Sequence, residues 1–139
     1  MARTVREVMS TQLITCPAST SLPQAARIMR DQNIGDVLVT DGDRLQGIVT
    51  DRDIVVRCVT EGGDISQTQL GNACSPDLAF ASPDMSIDEA AQLMGKKAIR
   101  RLPVVDNGRA VGIVSIGDLA VERDPNSTLG QISADAPNN

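Results

Sequence analysis

An internal repeat constrains the fold of this chain more than any other feature of its sequence. The segment Ser21–Met29 aligns without a gap with Ser86–Met94, so that matching residues stand 65 positions apart. The same offset places Gly47–Thr50 on Gly112–Ser115. A gapless match of this length indicates two copies of one structural unit. The predicted segments are repeat 1 at residues 4–57, a linker at 58–68, repeat 2 at 69–122 and a polar C-terminal tail at 123–139.

Both copies predict the same order of elements, β-α-β-β-α. A hydroxyl residue followed three positions later by Gln, Glu or Asp precedes each predicted helix, as in a capping box. Two apolar runs separated by a turn follow the first helix of each copy. Asn107-Gly108 favours a tight hairpin because both residues tolerate positive φ. Expected strand residues are Val39, Ile48, Val49, Val104, Ile113 and Val114, and the expected helix caps are Ser21, Thr50, Ser86 and Ser115.

The predicted fold class is α+β, with the two repeats forming one pseudo-twofold module. A unit of about 55 residues buries too little surface to be secure alone, so the copies are expected to pack together. The first helix of each copy also carries an apolar face, and a homodimer is the commonest way to cover such a face. The residues of these faces are Ala25, Ala26, Met29, Ala90, Ala91 and Met94.

Composition argues against several functions. Eighteen acidic residues against thirteen basic ones give a net charge of −5, without the basic footprint of a nucleic-acid-binding protein. Aromatic residues make up 1% of the chain, which removes stacking platforms for bases. The absence of histidine leaves no imidazole base, no Ser-His or Cys-His nucleophile and no ordinary zinc site. We therefore predict neither an enzyme nor a metal protein.

Cysteine usage and hydropathy point to the cytoplasm. Cys16, Cys58 and Cys74 form no CxxC pair, and an odd number of cysteines suits a reducing compartment. They are expected to act as small buried apolar residues, with a redox or dimer-linking role as the alternative. No stretch approaches the roughly 18 apolar residues of a membrane helix, so no membrane association is expected.

Two strand-to-helix junctions carry the candidate chemistry, Thr50–Asp53 and Ser115–Asp118. In both, a hydroxyl residue at the helix N-cap is followed three positions later by Asp. One interpretation is a capping box that only satisfies helix amides. The other is a nucleotide site, because a helix N-terminus favours phosphate and a carboxylate suits ribose hydroxyls. Gly47 and Gly112 precede these junctions, and each is expected either to admit a neighbouring element or to mark a bulge.

The most specific motifs of the repeat are Val8-Met9-Ser10, Ser86–Ala90, Arg100–Asp106 and the two Gly-x-x-Thr/Ser-x-x-Asp stretches. In these motifs the repeat resembles the cystathionine-β-synthase (CBS) domain family, and residues 4–122 resemble a tandem CBS pair, or Bateman module. The resemblance implies a stand-alone regulatory module that binds an adenine nucleotide (AMP, ADP or ATP) or another adenosyl ligand in clefts between the repeats. It implies no catalytic cofactor, a homodimer and a separate effector protein. The alternative is a purely structural dimerisation module with vestigial clefts.

By this resemblance, Thr50 and Ser115 would contact phosphate, and Asp53 and Asp118 would contact ribose hydroxyls. The adenine would lie near the segments that precede the first helix of each repeat. The residues of those segments are Ile14, Thr15, Cys16 and Pro17 in repeat 1 and Phe80, Ala81, Ser82 and Pro83 in repeat 2.

The two candidate sites are expected to differ in affinity. Repeat 2 has Arg100, Arg101 and Pro103 where repeat 1 has Gly35, Asp36 and Leu38, which places cations in one copy and an acid in the other. Strand residues alternate between faces, so at most one of the two arginines is expected to face a ligand. Arg52 in repeat 1 either contacts phosphate or faces solvent.

Overall fold

The chain divides into two compact units. The computed structural model describes residues 3–60, 62, 64–74 and 78–123, the side chains of 121–123 excepted. Of these residues, Ile14–Leu78 form the first-repeat unit, and those before residue 14 and after residue 78 form the second-repeat unit. The polar tail expected at 123–139 lies, from residue 124 onward, outside the described residues.

The first-repeat unit contains a three-stranded sheet. Strand β1 (Thr15–Pro17) runs parallel to β2 (Asp36–Asp41), which pairs antiparallel with β3 (Arg44–Thr50). The apolar run Val37–Val39 of the central strand is buried. The turn into β3 has a φ of 62° at Gly42, a conformation that glycine adopts without steric cost.

Two longer helical segments complete this unit. Helix α2 (Leu22–Gln32) begins after Ser21, whose hydroxyl accepts the N–H of Gln24 at 3.3 Å. Helix α3 (Asp51–Asp53) follows β3 directly and continues as the π-helix Ile54–Val59. Two 3₁₀ turns follow, Ile65–Gln67 and Leu70–Ala73.

The second-repeat unit is built on an antiparallel hairpin. Its turn residues Asn107 and Gly108 have φ values of 56° and 81°, as their sequence predicts. The elements of this unit are α1 (Val5–Val8), α4 (Ile87–Lys97), β4 (Arg101–Asp106), β5 (Arg109–Ser115) and α5 (Ile116–Arg123). The expected strand residues and the helix starts after Thr50 and Ser115 are confirmed in both units.

The first strand expected in repeat 2 is reduced to a single bridge. Ala81 pairs with Val104 in parallel, in the same relative position as Cys16 with Val39 in repeat 1. In repeat 1 the ladder extends further, because Ala18 donates its N–H to Thr40 O at 3.1 Å. The counterpart of Ala18 is Pro83, which has no amide hydrogen to donate.

The helix faces that suggested a dimer are largely covered within each unit. Ala25 and Ala90 are fully buried, and Met29 and Met94 are only 6% and 4% exposed. They pack in the cores of their own units, because strands and the segments beside them cover that side of α2 and α4. These four side chains therefore give no support to a dimer, whereas Ala26 is exposed and Ala91 is half-buried. Among the residues that the structure describes, the exposed large apolar side chains are those of Val55, Val56, Val59, Phe80 and Ile116.

The short leading segment of each repeat packs in the unit of the other repeat. In the leading segment of repeat 1, Ser10 forms a bridge with Ile113 of β5. In the leading segment of repeat 2, Leu70 donates its N–H to Thr20 O at 2.7 Å. Val5 belongs to the core of the second-repeat unit and Leu70 to that of the first-repeat unit. The repeats of the sequence and the compact units of the structure thus divide the chain differently.

Gly47 and Gly112 allow these segments to approach. A Cβ atom on Gly47 would lie 3.1 Å from Cys74 Sγ, and one on Gly112 would lie 3.1 Å from Ser10 O and closer still to the side chain of Met9. The strand register also shifts opposite each glycine. Both explanations offered by the sequence, close approach and a bulge, are therefore confirmed.

Candidate functional site

The first junction is a reciprocal capping box. Thr50 ends β3 in an extended conformation and is the N-cap of α3. Its N–H donates to Asp53 Oδ2 at 2.9 Å, and the N–H of Asp53 donates to Thr50 Oγ1 at 3.1 Å. Both residues are half-buried. The sequence spacing thus produces the local structure that it predicts.

The second junction has the same geometry. Ser115 donates its N–H to Asp118 Oδ2 at 2.9 Å, and Asp118 donates its N–H to Ser115 Oγ at 3.0 Å. Both side chains are again half-buried. The duplicated sequence motif has therefore become a duplicated arrangement of one hydroxyl and one carboxylate.

These capping bonds leave chemical capacity for a ligand. In each box the hydroxyl oxygen accepts an amide hydrogen, but its own hydrogen remains a donor. Each carboxylate has two oxygens and about four lone-pair sites, of which the capping bond takes one. A hydroxyl and a carboxylate can therefore cap a helix and still bind a phosphate oxygen and a ribose hydroxyl. The two interpretations of the motif are compatible.

The first turns of the two helices carry different charged side chains. In α3 the Asp51 carboxylate accepts the N–H of Arg52 at 2.8 Å, so an acid and a base precede Asp53 at this helix start. In α5 the corresponding residues are Ile116 and Gly117, neither of which carries charge. The first turn of α5 therefore has Asp118 as its charged residue, whereas that of α3 has Asp51, Arg52 and Asp53.

The predicted basic residues occupy different positions around these junctions. Arg101 stands opposite Ser115 in the hairpin and is half-buried, whereas Asp36 stands opposite Thr50. Arg100 is exposed, and its carbonyl accepts the N–H of Ile116 at 2.8 Å. Arg52 is exposed on the first turn of its helix. Of the two adjacent arginines, Arg101 is thus the one held in register with a junction hydroxyl.

The segment predicted to lie beside the adenine in repeat 1 alternates in burial. Thr15 and Pro17 are exposed, whereas Cys16 is 3% exposed and its side chain lies in the core. Burial raises the pKa of the Cys16 thiol. Ile14 is half-buried, and its carbonyl accepts the N–H of Leu38 at 3.0 Å. The side chains open to solvent are therefore those of Thr15 and Pro17.

The matching segment in repeat 2 exposes an aromatic ring. Phe80 is 50% exposed, and it is the one aromatic residue of the chain. Ala81 is fully buried, with its N–H bonded to Pro103 O at 2.9 Å and its carbonyl to the N–H of Val105 at 2.8 Å. Pro103 itself is buried in the unit. Of these three residues, Phe80 is therefore the one whose side chain is open to solvent.

Sequence reasoning did not single out two residues that lie beside the first junction. Arg57 Nε is 3.7 Å from Asp53 Oδ1, an ion pair whose i,i+4 spacing was visible in the sequence. Cys74 reaches the same place from a distant part of the chain, which no local pattern reveals. Burial raises the pKa of the Cys74 thiol, the Asp53 carboxylate raises it further, and Arg57 opposes this rise.

Two other structural features bear on function. Within the part of the chain that the structure describes, no group of three or more His, Cys, Asp or Glu side chains is placed to hold a metal ion. Among the same residues, no helix has both the length and the apolar character needed to cross a membrane.

Comparison with known proteins identifies the repeats. The family model of the CBS domain matches residues 5–59 and 70–123. CBS domain-containing protein YhcV of Bacillus subtilis is 40% identical over 126 residues, which cover 91% of this chain and 89% of YhcV. Hypoxic response protein 1 of Mycobacterium tuberculosis is 33% identical over 118 residues, with 84% of this chain and 82% of that protein covered.

Solved structures show the same fold. The crystal structure of Hypoxic Response Protein I with two coordinated zinc ions matches with a TM-score of 0.80 and 32% identity, covering 86% of this chain and 98% of that chain. The CBS domain pair of protein MJ0100, crystallised in complex with 5′-methylthioadenosine and S-adenosyl-L-methionine, matches with a TM-score of 0.77 and 28% identity, covering 86% and 94%. The α+β fold class and the tandem repeats are confirmed, and the chain belongs to the CBS domain family as a pair of CBS domains.

Proposed function

We propose that this chain is a regulatory ligand-sensing module that binds an adenosyl ligand at its strand-to-helix junctions. The observation that carries the proposal is the duplicated pairing of a half-buried hydroxyl with a half-buried carboxylate, Thr50 with Asp53 and Ser115 with Asp118. Membership of the CBS domain family supports it. The adenosyl compounds bound by the MJ0100 pair indicate the ligand class.

The second junction is the stronger candidate for a phosphorylated ligand. Ser115 would donate its hydroxyl hydrogen to phosphate, and Asp118 would accept hydrogen bonds from ribose hydroxyls. Arg101, opposite Ser115, would add positive charge, whereas Asp36, opposite Thr50, would repel phosphate at the first junction. Phe80 offers an exposed ring against which an adenine can stack.

A thermal-shift panel tests this proposal at low cost. The panel contains adenosine, AMP, ADP, ATP, 5′-methylthioadenosine and S-adenosylmethionine, with guanosine and GMP as controls. A ligand that binds only the folded chain stabilises it by about 2.7 kcal/mol at a hundredfold excess over Kd. We expect a rise in melting temperature with at least one adenosyl compound and none with the guanine compounds. No rise with any adenosyl compound would contradict the proposal.

The second candidate function, a structural dimerisation module, is favoured by one observation. Val55, Val56 and Val59 are about half exposed on the helical segment after Asp53, at 55%, 47% and 51%. Such a cluster of exposed apolar side chains on one helix marks an interaction surface. We propose that the chain forms a homodimer through these valines. Light scattering should give a dimer mass that falls to the monomer mass in Val55→Lys/Val59→Lys, and a wild-type monomer would contradict this.

Neither catalysis nor zinc binding is part of the proposal. The zinc ions of Hypoxic Response Protein I are not carried over, because this chain has no histidine. The output of ligand binding would be a change in affinity for a separate effector protein.

A further inference from the structure

In the first-repeat unit, an ion pair engages the carboxylate that the proposed function assigns to ribose. Arg57 Nε lies 3.7 Å from Asp53 Oδ1, while Asp53 Oδ2 accepts the N–H of Thr50 at 2.9 Å. Both oxygens of Asp53 therefore have partners within the chain. We propose that Arg57 competes with ligand hydroxyls for Asp53 and so lowers the affinity of the first junction for adenosyl ligands. This inference rests on the proposed function.

The exposure of the two side chains allows Arg57 and a ligand to compete for Asp53. The Asp53 side chain is 21% exposed and that of Arg57 is 45% exposed, so the carboxylate is partly shielded while the guanidinium can swing away. Both charges also act on the half-buried thiol of Cys74, in opposite directions. The pair joins Asp53, at the end of α3, to the next turn of the same helical segment, beside the junction where the ligand would bind.

Among the side chains that the structure describes in α5, those of residues 116–120, none is basic. In the sequence, the residue four positions after Asp118 is Glu122, where repeat 1 has Arg57. A carboxylate cannot form an ion pair with another carboxylate, so the i,i+4 pair of repeat 1 has no counterpart in repeat 2. The competition is therefore proposed for repeat 1, where it would contribute to a difference between the two junctions.

The expected effect is small and has a characteristic response to salt. An exposed ion pair contributes about 0.2–1 kcal/mol, so its removal should raise affinity by at most about fivefold. Salt screens the attraction between Arg57 and Asp53. Adenosine carries no net charge, so salt has little effect on its own attraction to Asp53. The affinity of the first junction for adenosine should therefore rise with salt.

Adenosine binding to full-length variants tests the inference. The substitution Asp118→Ala weakens the second junction, so that titration calorimetry reports the first. In the Asp118→Ala chain we compare the adenosine affinity of three forms at low and high salt. These are the form that keeps Arg57, the form with Arg57→Met and the form with the charge-retaining Arg57→Lys. Arg30→Met is the matched control, because it removes one positive charge from another exposed ion pair of the same unit, Arg30 with Asp31 at 3.0 Å.

If Arg57 competes with the ligand, Arg57→Met should bind adenosine two- to fivefold more tightly. Its adenosine affinity should also no longer rise with salt. Arg57→Lys and Arg30→Met should keep the adenosine affinity and the salt dependence of the parent chain. An unchanged or lower affinity in Arg57→Met would overturn the inference, and so would an absence of first-junction binding in all variants. If the wild-type chain binds no adenosyl compound, the proposed function itself fails. If it binds but is insensitive to Arg57→Met, only the competition fails.

Discussion

At the scale of single residues, Ser115 and Asp118 combine a structural role with the proposed binding role. Each donates or accepts within the capping box, and each retains capacity for a ligand. The sequence predicted both boxes because capping is local and depends on residues three positions apart. It could not predict the neighbourhood of Asp53 fully, because Cys74 arrives there through long-range packing.

The substitution Asp118→Ala separates the two roles of this carboxylate. We expect adenosyl binding at the second junction to weaken by about 1.5–3 kcal/mol, since charged hydrogen bonds to the ligand are lost. Stability should fall by only about 1 kcal/mol, because Ser115 still accepts the N–H at position 118. Titration calorimetry and thermal melts measure the two effects. Normal binding with a large loss of stability would favour a purely structural capping box.

A second residue-scale prediction concerns Gly112. The substitution Gly112→Ala should destabilise the chain by about 1–3 kcal/mol, because the new Cβ would collide with Met9 and approach Ser10 O at 3.1 Å. Gly95→Ala is the matched control, since Gly95 lies in α4 and a Cβ atom there would meet nothing within 4 Å. That control should stabilise the chain by about 0.5–1 kcal/mol. Urea unfolding measures the free energy of unfolding of both variants. Changes of the same sign in the two variants would contradict the packing described around Gly112.

At the scale of elements, local sequence patterns predicted the helices and hairpins. Where the structure differs from the prediction, the cause is a contact between residues that are distant in the chain. The capping pairs, the apolar spacing and Asn107-Gly108 all predicted what is observed. The first strand of repeat 2 shortened because Pro83 stands where Ala18 donates in repeat 1. The side chains of Ala25, Met29, Ala90 and Met94 on α2 and α4 are buried in their own units, a packing that helical periodicity alone does not specify.

The C-terminal ends of α2 and α4 yield a further prediction. Both end in a left-handed residue with a φ of 55°, Asn33 in one case and Ala98 in the other. Alanine is strained there, so Ala98→Gly should stabilise the chain by about 1 kcal/mol. Ala26→Gly, at an exposed position within α2, should destabilise it by about 1 kcal/mol. Thermal denaturation shows whether each variant is more or less stable than the wild type. A loss of stability in Ala98→Gly would contradict the proposal that Ala98 is strained.

At the scale of the whole molecule, the exchange of leading segments is the feature that the repeat alignment missed. The alignment assigned Val5 to repeat 1 and Leu70 to repeat 2, yet each lies in the core built by the other repeat. An alignment records equivalence and not contact, so both arrangements fit the same sequence. The exchange makes each unit depend on a segment distant from it in the chain.

This dependence predicts where core substitutions act. Val5→Ala should loosen the second-repeat unit, and Leu70→Ala the first-repeat unit, each by roughly 2–4 kcal/mol, because both side chains are fully buried. Hydrogen exchange should therefore show faster opening of β4 and β5 in Val5→Ala, and of β2 and β3 in Leu70→Ala. The reverse assignment would contradict the exchange of segments.

We propose above that this pair of CBS domains binds an adenosyl ligand through the carboxylates of its two junctions. Titration calorimetry with 5′-methylthioadenosine on the wild-type chain, Asp53→Ala, Asp118→Ala and the double variant tests this binding. We predict binding to the wild type, weaker binding in each single variant with the greater loss in Asp118→Ala, and the weakest binding in a folded double variant. Wild-type affinity in the folded double variant would contradict the claim.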